Sequence, residues 1–160
     1  MKRLFLTSVL TLGVLGVGVA TARAEVITLT AALAGDGENP GINTGAFGSA
    51  TITVDTSART VSYQVSVFNL PSGVTASHIH VGAEKTAGPV VVNFVVPQTA
   101  SNDFGFSGTT AFSAFVLRPD QGIRSSDDMV QAILGGNSYC NVHSAVNPAG
   151  EIRGQLILQK

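Results

Sequence analysis

Three histidines, His78, His80 and His143, are the only imidazoles in the chain. A neutral imidazole binds copper or zinc at about 2 Å, and three of them around an ion with a fourth position open is the pattern of a reactive metal centre. In Ser77-His78-Ile79-His80-Val81-Gly82 the apolar and polar residues alternate. On a β-strand that spacing points His78 and His80 to one face and Ile79 and Val81 to the other. In Tyr139-Cys140-Asn141-Val142-His143 the same alternation groups Tyr139, Asn141 and His143 on one face and Cys140 and Val142 on the other. Coordination to a single ion requires the three rings to converge with nitrogens within about 4 Å of one another.

The other reading is structural: the imidazoles hydrogen-bond to backbone and carboxylates and so stitch two strands together. Glu38, Asn141 and Glu151 are the candidates around them, as acceptors that orient a ring or, for the carboxylates, as a fourth ligand. Arg153 lies close enough in sequence to Glu151 to pair with it instead. Asp127 and Asp128 follow Ser125 and Ser126, as helix-start carboxylates do. Ser144 neighbours His143 but points to the opposite face of a strand, which removes it as a nucleophile. No nucleophile elbow, phosphate-binding loop or Cys-x-x-Cys pair is present.

The elements that must position these residues read as strands. Eighteen glycines, few charges and abundant Thr, Val and Ser favour strands and turns. Alternation marks strands around Ile27–Leu33, Ala50–Val54 and Val61–Val67, the last two joined by a turn over 55–59. The histidine strand follows Leu70-Pro71-Ser72-Gly73. Residues 90–96 read as a strand covered on both sides, 102–108 as irregular, and 110–117 as a further strand. Ser125 to Gly136 carries the signals of one short helix near 126–134. A last strand would place Ile152, Gly154, Leu156 and Leu158 on one face. About eight strands and one helix imply an all-β fold, an antiparallel Greek-key β-sandwich of immunoglobulin-like or superoxide-dismutase-like form.

Residues 1–24 read as a signal peptide: Lys2-Arg3, an apolar run, and Ala22-Arg23-Ala24 as a cleavage site, leaving residues 25–160 as one exported domain in a periplasm or outside the cell. No later stretch is apolar enough for a membrane span. Loss of Lys2, Arg3 and Arg23 moves the net charge from −1 to −4. That balance argues against nucleic acid as a partner. The lone Cys140 permits no internal disulfide and sits on the face of Val142, as a buried thiol does.

Three stretches together resemble the CHRD domain, named after chordin. They are Leu33-Ala34-Gly35 with Glu38-Asn39-Pro40, Ala76 to Gly82 with Gly88-Pro89-Val90-Val91, and Tyr139 to Ser144 with Asn147-Pro148-Ala149-Gly150-Glu151-Ile152-Arg153-Gly154-Gln155-Leu156. Cys140 departs from the family's usual aliphatic residue. The resemblance implies extracellular protein binding, so the chain is expected to be a binding or structural module without enzymatic activity, its partner an extracytoplasmic protein or, in a further reading, a glycan. His78, His80 and His143 are also similar to the copper ligands of Cu/Zn superoxide dismutases, which place a His-x-His pair on one strand and a later histidine before the closing strand. The bridging histidine and zinc-loop ligands have no counterpart, and Arg153 is displaced by one residue from the arginine of those enzymes. What this similarity implies is a three-nitrogen copper or zinc site and, as the alternative function, a copper-dependent redox enzyme of dismutase-like kind.

Overall fold

A computed structural model describes residues 25–159, so the expected signal peptide lies outside the described residues. The described residues form nine strands: β1 (Val26–Ala34), β2 (Phe47–Asp55), β3 (Thr60–Phe68), β4 (Val74–Val81), β5 (Val90–Asn93), β6 (Phe104–Ala111), β7 (Ser138–Ser144), β8 (Ile152–Gln155) and β9 (Ile157–Leu158). One helix, α1 (Ser126–Leu134), precedes β7. The strands make one antiparallel sheet in the order β5-β4-β7-β8-β1-β2-β3-β6, with β9 pairing to β1. The expected all-β class is what the chain adopts.

This sheet doubles back on itself. Leu29, Leu33, Ile52, Val54, Val61 and Val65 from β1 to β3 meet Ile79, Cys140, Val142 and Ile152 from β4, β7 and β8 in a single buried cluster. Burial of each such side chain favours the fold by roughly 1.5–3 kcal/mol, and the cluster needs both halves of the sheet to be dry. The end strands β5 and β6 do not pair with each other, so the barrel is nearly closed rather than complete. Tyr63 covers this seam. Its ring stacks on Phe94 at 3.9 Å and its hydroxyl accepts from Val95 N at 2.9 Å. Gly108 makes room, because a Cβ there would lie 2.3 Å from the Tyr63 oxygen.

Four boundaries differ from those expected. Residues 102–108 are mostly strand, since β6 pairs with β3 from Val67↔Phe104 to Thr60↔Ala111; Gly105 and Gly108 hid that strand among loop residues. The strand expected over 110–117 stops at Ala111, and 112–114 forms a short 3-10 turn that buries Phe112 and, just beyond it, Phe115. The strand expected over 90–96 ends at Asn93, and Val95 is 80% exposed rather than covered. The closing strand breaks at Leu156, whose N–H donates to Ser138 O. Leu156 is therefore buried while Leu158 is 45% exposed, so the two do not share a face. Helix α1 starts where expected: Ser125 Oγ accepts from Asp128 N, and the Asp128 carboxylate accepts from Ser125 N in return.

Candidate metal centre

Strand pairing brings the three histidines onto one surface. In the antiparallel pair of β4 and β7, Ala76 faces His143, His78 faces Asn141 and His80 faces Tyr139. Paired residues share a face, so His143 is the diagonal neighbour of His78, and His80 is the next side chain along β4. On the other side of β7, Asn141 faces Arg153 and Tyr139 faces Gln155 of β8. The opposite face carries Ile79, Cys140 and Val142 into the core. The surface is not open to water, however: His80 and His143 are each only 8% exposed and Asn141 2%.

The ring nitrogens converge. His78 Nδ1 and His143 Nε2 are 3.1 Å apart, and one nitrogen from each of the three rings lies within 4.8 Å of the others. Ligands at about 2 Å from one ion can be no more than about 4 Å apart, so the widest gap must narrow slightly to close around it. Such rotation is available to rings anchored at one edge. His80 Nδ1–H donates to Gly88 O at 2.8 Å, and His143 Nδ1–H donates to Pro148 O at 2.9 Å. These bonds fix the tautomer and leave Nε2 of both rings as a lone pair. The His80 Nε2 atom is buried and has no hydrogen-bond partner.

Burial keeps the trio uncharged. Desolvation, then the neighbouring His143 and His80, lowers the His78 pKa to about 4. Desolvation likewise lowers His80 against the opposing bond to Gly88, and lowers His143 against the bond to Pro148. A neutral imidazole is the form that binds a metal.

Around the rings, Tyr139 stacks on His80 with centroids 4.7 Å apart and planes 8° from parallel. The Arg153 guanidinium covers the Tyr139 ring at 3.3 Å and donates to Ala83 O. Glu38 comes from the segment after β1, and burial raises its pKa against the opposing influence of Arg153, Asn141 and Lys85. Gly150 gives this carboxyl its space, since a Cβ there would stand 2.4 Å from Glu38 Oε1. Glu151 has a different place. Its Oε2 accepts from Ser144 Oγ at 2.7 Å and Asn147 Nδ2 at 2.6 Å, so it braces the turn that presents Pro148 O to His143. Burial pushes its pKa up, but hydrogen bonds from Thr44, Asn147 and Ser144 hold it below the usual value. Ser144 is spent on that brace, and the Cys140 thiol is pushed up to about 12 by burial.

The CHRD domain family model matches residues 29–156, which includes every residue of this surface. The chain belongs to the CHRD domain family. Among curated proteins and among solved structures there is no match. In this CHRD domain the His78, His80 and His143 cluster could hold a metal ion. The carbonyls of Gly88 and Pro148 and the His80–Tyr139–Arg153 stack are the parts that sequence reasoning missed. Backbone acceptors carry no side-chain signature, although Gly88 itself is a clue: a Cβ there would come 1.8 Å from Val81 O, so only glycine seats this carbonyl.

Proposed function

We propose that this CHRD domain is an exported, non-enzymatic binding module that holds a copper or zinc ion through His78 Nδ1, His80 Nε2 and His143 Nε2. The observation that carries the reading is the pair of backbone anchors. Both Nδ1–H groups are committed to carbonyls, which leaves two Nε2 lone pairs, that of His143 lying 3.1 Å from His78 Nδ1. A purely structural trio has no need of an unpartnered buried Nε2 on His80. The first experiment is dialysis of the protein lacking residues 1–24 against copper and zinc, followed by elemental analysis. One ion per chain is expected in the parent and none in His80→Ala; a parent that emerges free of metal rules the reading out.

Export rests on residues 1–24, with their basic start, apolar run and Ala22-Arg23-Ala24. Mass spectrometry of the protein recovered outside the cytoplasm should give a mature chain that begins at Glu25; recovery of the intact chain from the cytoplasm alone contradicts it. The partner of the module is an extracytoplasmic protein or glycan. A second reading, a copper-dependent redox enzyme, is favoured by one feature: His78 is less covered than His80 and His143, so a small oxidant can approach the ion from its side. Turnover of superoxide or peroxide by the copper-loaded parent, absent in His80→Ala, separates the two.

A further inference from the structure

Three buried polar atoms, one of them in the histidine cluster, have no hydrogen-bond partner: His80 Nε2, Asn141 Oδ1 and Glu38 Oε1. Asn141 lies against both of the other residues, as a donor to the Glu38 carboxyl and as an acceptor facing the His80 ring. Beside an ionised Glu38 carboxyl the NH2 end of the amide donates, which leaves its oxygen for His80. The reversed amide would set oxygen against oxygen. His80 has already committed Nδ1–H to Gly88 O, so the neutral ring offers a lone pair at Nε2. His80 Nε2 and Asn141 Oδ1 are then both buried lone-pair atoms without a hydrogen bond. That arrangement is unfavourable unless a cation joins them.

We infer that the Asn141 carboxamide oxygen is a fourth ligand, completing a three-nitrogen, one-oxygen donor set with His78, His80 and His143. The inference rests on the metal-binding reading above and deepens it. Register supports it, because Asn141 faces His78 directly across β4 and β7 and is two residues from His143 on the same face. Glu38 becomes a positioning residue that fixes the amide's orientation, and Gly150 admits its carboxyl. An amide oxygen is a hard donor, so the set suits divalent zinc or copper over cuprous ion.

The test uses the parent chain and Asn141→Leu, which keeps the volume while removing the oxygen. Zinc affinity measured by chelator competition should fall about tenfold or more, and the absorption bands of the cobalt(II)-substituted protein should shift. In the parent, the Asn141 side-chain resonances should move on addition of zinc, a readout independent of whether the variant folds. Unchanged affinity and cobalt spectrum in a folded Asn141→Leu protein, or Asn141 resonances that stay in place while those of the three histidines move, overturn the inference and leave the three-histidine site standing. A parent that binds neither zinc nor copper defeats the underlying reading itself.

Discussion

Each imidazole in this domain is set by one atom outside its own side chain. Gly88 O turns His80, Pro148 O turns His143, and His143 Nε2 receives the Nδ1–H of His78 while no metal is present. Metal binding therefore needs only a change of tautomer at His78, with no proton released from the trio at neutral pH. The shared burial has a measurable consequence in the metal-free protein. All three rings have folded pKa values below the ordinary 6.5, with His78 at about 4. The unfolded chain thus binds more protons than the folded one between those values, and stability falls as the pH is lowered through that window. Denaturant midpoints of the chelator-treated protein should be level above pH 6.5, decline towards pH 4, and decline less in His78→Leu. A parent whose midpoint rises on acidification through this range contradicts neutral burial.

At the scale of elements, the site is a property of the β4–β7 register and of the segments that cover it. The alternation in Ser77-His78-Ile79-His80 and Tyr139-Cys140-Asn141-Val142-His143 was enough to assign faces, since a strand's period of two leaves no choice once Ile79 and Val142 are buried. What it could not supply was the pairing itself, because His78↔Asn141 joins residues remote in sequence. The boundaries that differed lie where turn residues and strand residues are the same: Gly105 and Gly108 sit inside β6, and Phe112 and Phe115 are buried on a turn instead of a strand. Gly88 exposes the dependence of the site on its cover. In Gly88→Ala the new methyl would stand 1.8 Å from Val81 O, so the segment before β5 must move and take its carbonyl away from His80. Metal affinity should drop by about tenfold or more, as for other losses of an orienting partner. Isothermal titration of Gly88→Ala decides it, and an affinity equal to the parent's would show that Gly88 O does not orient the ring.

For the whole molecule, the nearly closed sheet joins two halves through one core, and the candidate ligands all lie on the half made by β4, β5, β7 and β8. With a single buried Cys140, no disulfide links those strands. An ion at the cluster would join β4 to β7 outside the core, and it would bind the folded chain alone, because the unfolded chain does not hold His78, His80 and His143 together. Linkage then gives the size of the effect: a free metal concentration about a hundredfold above Kd stabilises the fold by about 2.7 kcal/mol. In a domain of this length that is a rise in Tm on the order of 10 °C. Calorimetry of the chelator-treated parent with and without zinc should show the rise, which should vanish in His143→Ala. The structural alternative makes the opposite forecast, since rings that serve only to stitch strands together gain nothing from zinc, and the parent's Tm would stay where chelation left it.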